Sequence, residues 1–142
     1  MALILSDLGA DEILKVYWNN ARPVGGNNHT LKLFTNNITP VDTTVAGSFV
    51  EAAGGGYVAK TLTNGSWTIN TANDPSDATY AQQTWTFTGA LTGNAIIYGY
   101  YIVDADGTLI HSERLSANMT PATNGDVLNV TPVMQASKGT PT

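Results

Sequence analysis

The sequence contains no cysteine and few charged residues. Only 12% of its 142 residues are Asp, Glu, Lys or Arg, whereas a typical soluble domain has about 25%. The absence of cysteine excludes disulfide scaffolds and cysteine-ligated zinc, haem or iron–sulfur sites. With six basic residues and a net charge of −5, the chain is not expected to bind nucleic-acid phosphates. Scarce Lys and Glu also disfavour a helical bundle, whose helices need charged solvent faces.

Long apolar runs are missing as well. No stretch reaches the roughly 18 apolar residues of a membrane-spanning helix, and no basic region precedes the short apolar N-terminus as it would in a signal peptide. We therefore expect a protein made in a cytoplasm, with no membrane partner. The length fits a chain with one real core.

Uncharged polar residues take the place of the missing charge: there are 20 Thr, 13 Asn, 7 Ser and 14 Gly. Thr is β-branched and polar, so it favours a strand that faces water, while Asn and Gly favour turns. From Thr30 onward, short alternating or apolar segments recur about every ten residues. The spacing predicts an all-β protein of seven to eight strands, built as a β-sandwich or barrel.

Four of the predicted strands are recognised by their sequence patterns. Residues 79–88 alternate cleanly, and residues 95–103 are almost continuously apolar, which is typical of a central strand covered on both faces. Residues 108–115 return after a turn, and residues 127–133 form a last strand, at an edge because Pro132 cannot donate a ladder hydrogen bond.

The first twenty residues have a different pattern. Leu8, Ile13, Leu14 and Tyr17 recur at helical spacings, which predicts an amphipathic helix up to Trp18. We therefore divide the chain into an N-terminal helical arm (1–20), a β-sandwich domain (21–136) and a flexible tail (137–142).

Two motifs resemble ligand sites but favour structural roles. Asp104-Ala105-Asp106-Gly107 could begin a calcium loop, but the twelfth position is Leu115 rather than Glu, so we interpret it as a hairpin turn. Gly54-Gly55-Gly56 has no following Lys-Ser/Thr of a phosphate loop, and it indicates a bend or a close backbone approach.

The histidines offer no clear catalytic set. His111 and Glu113 lie two residues apart on one strand face, as an acid–base pair or as solvated neighbours, and His29 lies in a predicted loop. No nucleophile–base set is visible. We predict no catalytic residues, no metal, no cofactor and no enzymatic activity.

The twelve aromatic residues have two interpretations. A glycan-binding module would expose some of them in a row, whereas a structural protein would bury them in a core or a subunit interface. The alternation of Trp85 and Phe87 on one strand favours the core or an interface.

Five segments together carry a family resemblance. They are Ile4-Leu5-Ser6-Asp7, Leu31-Lys32-Leu33-Phe34-Thr35-Asn36-Asn37, Gly54-Gly55-Gly56-Tyr57, Tyr80-Ala81-Gln82-Gln83-Thr84-Trp85-Thr86-Phe87-Thr88-Gly89 and Ile97-Tyr98-Gly99-Tyr100-Tyr101. In this order the chain resembles small structural proteins of tailed bacteriophages. The resemblance implies a capsid cement or decoration protein on the virion surface, with a jelly-roll-like β-sandwich, the major capsid protein as partner and a homotrimeric state.

No individual site is carried over from that resemblance. The candidate partner or trimer contacts come from the N-terminal segment and are Leu3, Ile4, Leu5, Tyr17 and Trp18. The alternative function is a tail, baseplate or fibre-tip module that recognises a host surface glycan.

Overall fold

A computed structural model describes residues 28–41, 43–72 and 76–135 of the chain. The described residues contain two short 3₁₀ turns, Ala46–Ser48 and Thr92–Asn94, and nine strands: β1 (His29–Phe34), β2 (Lys60–Leu62), β3 (Thr68–Asn70), β4 (Asp77–Thr79), β5 (Gln83–Thr86), β6 (Ile97–Val103), β7 (Leu109–Met119), β8 (Val127–Val130) and β9 (Val133–Gln135). The predicted all-β class is therefore confirmed. The predicted N-terminal helix, the arm and the tail lie outside the described residues, as do both predicted domain boundaries.

The described strands fall into two compact units. The larger unit comprises residues 28–62 and 83–130 and the smaller one residues 63–82 and 131–135, apart from the undescribed positions 42 and 73–75. The larger unit holds an antiparallel four-stranded sheet in the order β2-β1-β6-β7 and the antiparallel pair β5-β8. The smaller unit holds the antiparallel sheet β3-β4-β9.

Strand β6 is the centre of the larger unit. It pairs with β1 on one side and β7 on the other, and all of its residues except Tyr98 are buried. Because side chains alternate across a strand, Tyr100 and Ile102 lie on one face and Tyr101 and Val103 on the other. The second face packs with Phe34 and Phe49. The prediction of a strand covered on both faces is confirmed.

Gly99 explains how Phe34 fits over this sheet. Phe34 is opposite Gly99 in the register of β1 and β6. A Cβ atom at position 99 would overlap the Phe34 ring and the carbonyl oxygen of Glu113. The absent side chain therefore makes room for the ring.

The three consecutive glycines of the sequence form a close backbone contact, as predicted. Gly54, Gly55 and Gly56 have φ values of 77°, 56° and 76°, a region that favours glycine. The backbone N–H of Thr88 donates to the carbonyl oxygen of Gly55 at 2.9 Å. A Cβ atom at position 55 would lie 2.6 Å from the carbonyl oxygen of Gly89.

Two predicted strands are each divided in the structure, which gives nine described strands rather than seven to eight. Residues 79–88 contain the end of β4 and all of β5, which pair in different sheets. Residues 127–133 divide at Pro132, which has no N–H to continue a ladder. Its carbonyl oxygen instead accepts from the backbone N–H of Tyr80 at 2.9 Å. Glu51 forms only an isolated antiparallel bridge with Phe34.

Candidate interaction surface

Strand β7 borders a groove on the larger unit. It has eleven residues and, within the described part of the chain, pairs only with β6. Beside its first residues lie two neighbouring cavities of about 370 and 350 Å³, both lined by Thr44 and Leu109. We call these cavities, with their lining residues 40–41, 44–47 and 107–112, the β7 groove.

In the part of the chain that the structure describes, the β7 groove has no charged lining. None of its lining residues is Asp, Glu, Lys or Arg. Two valines on its rim, Val41 and Val45, are 61% and 62% exposed. The groove therefore offers apolar, hydroxyl and imidazole groups to whatever binds it.

The loop that forms one side of the groove is closed by an asparagine. Asn36 Nδ2 donates to the carbonyl oxygen of Ser48 at 2.8 Å, and Asn36 Oδ1 accepts from the backbone N–H of Val50 at 2.8 Å. The backbone N–H of Thr35 also donates to the carbonyl oxygen of Val50 at 2.8 Å. The side-chain amide thus joins the two ends of the loop as a backbone peptide would.

Arg114 of β7 ties this loop to the strand. Its Nη1 atom donates to Asn37 Oδ1 at 2.9 Å and to the carbonyl oxygen of Ile38 at 2.6 Å. Its guanidinium carbon lies 5.3 Å from the centroid of the Tyr98 ring, which is within cation–π range. The positive charge of β7 is therefore held at residues 37 and 38 of the loop, and Arg114 does not line the groove.

Glu113, the other charged residue of β7, is held by Tyr100. The Tyr100 hydroxyl donates to Glu113 Oε2 in a short hydrogen bond. Burial first, and then the nearby carboxylate, raise the pKa of Tyr100. The phenol therefore stays protonated at neutral pH and acts as a donor rather than as a base or nucleophile.

His111 is the one titratable side chain that lines the groove in the described residues. Its ring centroid lies 6.2 Å from that of Tyr100, and its Nε2 atom is buried with no hydrogen-bond partner among the described residues. Burial lowers the pKa of His111, and the negative charge of Glu113 opposes this shift. The imidazole is therefore neutral at pH 7.

A hairpin turn closes one end of the groove, and it is the turn predicted from Asp104 to Gly107. Asp104 Oδ1 accepts the backbone N–H groups of Asp106 at 3.0 Å and Thr108 at 2.9 Å. Gly107 has a φ of 82°. These contacts use the carboxylate within the turn, and the described residues contain no cluster of three metal-ligating side chains.

A second polar cluster lies on the opposite side of β1 from β6. Lys32 Nζ is 2.9 Å from Glu51 Oε2, and the Tyr57 hydroxyl donates to Glu51 Oε1 at 3.1 Å. Burial raises the pKa of Tyr57, and burial together with Glu51 raises the pKa of Tyr101 to about 12. Both phenols therefore stay protonated at neutral pH, which suits hydrogen bonding and packing.

The N-terminal contact residues predicted from the sequence, Leu3, Ile4, Leu5, Tyr17 and Trp18, all lie outside the described residues. The structure therefore does not test their role as partner or trimer contacts, which stays a prediction.

The histidine predictions have mixed outcomes. His29 is not in a loop: it begins β1 opposite Leu62 and is 2% exposed. His111 and Glu113 share a strand face as predicted, and Tyr100 from β6 joins them. Sequence reasoning did not single out Tyr100 for this contact. Its alternation with Ile102 and its place on the strand before the hairpin are the signals that could have found it.

The aromatic residues follow the core interpretation in the described part of the chain. Trp67, Trp85, Phe87, Tyr100 and Tyr101 are buried, and the exposed large apolar residues there are all valine or isoleucine. The described residues therefore show no exposed aromatic row of the kind that stacks on sugar rings. Among them there is also no helix long and apolar enough to span a membrane.

Comparison with known proteins gives no relative: no family model, no curated protein and no solved structure matches the chain.

Proposed function

We propose that the protein is a capsid cement or decoration protein of a tailed bacteriophage. In this proposal it forms a homotrimer on the virion surface, binds the major capsid protein and stabilises the head lattice. We also propose that the strands form a jelly-roll-like β-sandwich. The proposed class of function, a phage structural protein, rests on the resemblance of the sequence to such proteins.

The β7 groove is the observation that best supports a contact function. It combines a long strand edge, two exposed valines and described lining residues that carry no charge. Charged residues are depleted in the cores of protein interfaces. Tyr100, beside the groove residue His111, stays protonated and hydrogen-bonded to Glu113, so the arrangement suits binding rather than chemistry.

The stabilising effect of a cement protein follows from mass action. A protein that binds the assembled lattice but not free capsid subunits lowers the free energy of the assembled state. A trimer binds with three linked contacts, so weak individual contacts add up to tight binding.

The test is to locate and count the protein in purified virions. Heads and tails are separated, and the copies in each are counted by quantitative mass spectrometry and placed by image reconstruction. We expect hundreds of copies on the head surface, and heads that lack the protein should rupture at lower temperature until it is added back. A few copies at the tail tip would instead support the glycan-recognition alternative and refute the cement function.

A further inference from the structure

We propose that the β7 groove is covered by a second copy of this chain, so that it forms the contact between protomers. This inference rests on the oligomeric state in the proposed function. It adds the surface that forms the contact and the residues that control it.

The groove exposes apolar surface to solvent. Val41 and Val45 form its rim and are each more than half exposed. Ala46 and Leu109 continue the apolar surface inward, where both pack against the core cluster of Phe34 and Phe49. The surface thus leads from a solvated rim to a well-packed base, and contact with another chain would remove the rim from water.

The backbone of β7 limits the form that the contact can take. Long strand edges often accept another strand, and bulges are one way to prevent this. In β7 the register shifts beside the groove: Leu109 is opposite Val103 and His111 is opposite Ile102, so Ile110 is extra. The irregularity disfavours regular strand addition at this point. The contact should therefore be made by side chains packed into the groove.

For a protein that associates with itself, charge restricts where two copies can meet. Each chain carries a net charge of −5, so two copies repel wherever their charged surfaces meet. The described lining residues of the groove carry no formal charge at neutral pH, and the two charged residues of β7, Glu113 and Arg114, are engaged by Tyr100 and by the loop. Two acidic copies that meet at this surface therefore bring no charged side chain of the described lining together. In a closed ring the same surface recurs around the axis.

The experiment compares two double variants of the full chain. Val41→Lys/Val45→Lys places two charges on the groove rim. Val50→Lys/Val58→Lys is the matched control, because these valines are 57% and 68% exposed, do not line the groove and change the net charge equally. Sedimentation equilibrium over a range of concentrations gives the mass of each, against 15.0 kDa for one chain.

We expect the unmodified chain and the control to associate, and the groove variant to dissociate. The dissociation constant should rise by more than about tenfold, because a charge buried in a contact without a partner is costly. A chain that stays monomeric at all concentrations, or an oligomer that survives the groove variant unchanged, would overturn the inference. So would equal dissociation of both variants.

A second measurement uses the absence of cysteine from the sequence. Val45→Cys and Val58→Cys each supply a single thiol. We expect a short bifunctional thiol reagent to cross-link copies of the first variant rapidly and those of the second slowly. If the thiol at position 45 is protected from a small reagent in the monomer, the groove is covered by its own chain and the inference is wrong.

These results are separable from the cement proposal. Loss of the head location with an intact groove-dependent oligomer would refute the capsid function and leave the protomer contact standing. A groove-dependent dimer rather than a trimer would support the contact and refute the proposed trimer.

Discussion

At the residue scale, Gly99 is a position where the fold leaves no room for a side chain. Its missing side chain accommodates the Phe34 ring and the carbonyl of Glu113 on the neighbouring strands. We expect Gly99→Ala to lower the free energy of unfolding by about 1–3 kcal/mol, because extra volume in a packed core forces neighbours to move. Urea denaturation monitored by tryptophan fluorescence measures this change.

The matched control is Gly47→Ala in the first 3₁₀ turn. A Cβ atom there would meet no atom within 4 Å. We expect a change smaller than about 1 kcal/mol, because only the entropy of the unfolded chain is affected. Equal losses in the two variants would show that the ring over Gly99 does not limit the volume at this position.

His111 makes stability depend on pH. Because burial lowers the pKa of the folded imidazole below its ordinary value of 6.5, the unfolded chain binds the proton more readily. The stability that the neutral imidazole contributes to the folded state is therefore fully present above about pH 6.5. It is lost as the pH falls from there through the pKa of His111 in the folded chain. The negative charge of Glu113 opposes the lowering of the His111 pKa, so the pH range over which this stability is lost is narrower.

We expect His111→Gln to remove this dependence of stability on pH. Between pH 7 and the folded pKa, the free energy of unfolding of the unmodified chain should fall relative to that of the variant, which stays neutral throughout. The comparison is made by urea denaturation at a series of pH values, so that carboxylates titrating in both proteins cancel. A difference that does not change with pH would refute the assignment.

At the element scale, the contact between β7 and the loop of residues 37–48 depends on Arg114. Arg114→Lys keeps the charge but loses the planar fork that reaches Asn37 and Ile38. We expect a loss of about 1–2 kcal/mol and faster hydrogen exchange at the loop amides. Asn37→Ala, which leaves the Ile38 carbonyl in place, should have a smaller effect. An unchanged exchange pattern in both variants would mean that the loop is held by Asn36 alone.

The elements also show which features a sequence can predict. The β6–β7 hairpin could be recognised because Asp104 and Gly107 signal the turn within a few residues, and β6 because its apolar run is continuous. The division between β4 and β5 could not, because alternation in 79–88 does not specify the partner strand. The contact of Arg114 with Asn37 joins residues 77 positions apart. No local pattern encodes such a contact, so the groove could not be found before the fold was known.

At the scale of the whole molecule, the net charge of −5 and the uncharged groove act in opposite directions on self-association. Copies that meet at the groove gain apolar contact but repel through charges elsewhere on their surfaces. Salt screens exposed charges, with a Debye length of about 10 Å at 0.1 M and about 3 Å at 1 M. We therefore expect sodium chloride to strengthen association, with a dissociation constant several-fold lower at about 0.5 M than at about 0.02 M salt. Sedimentation equilibrium at the two salt concentrations measures this.

Val50→Lys/Val58→Lys adds two positive charges outside the groove and brings the net charge from −5 to −3, so its association should respond less to salt. If salt weakens association instead, ion pairs hold the copies together and the contact lies on a charged surface rather than at the β7 groove.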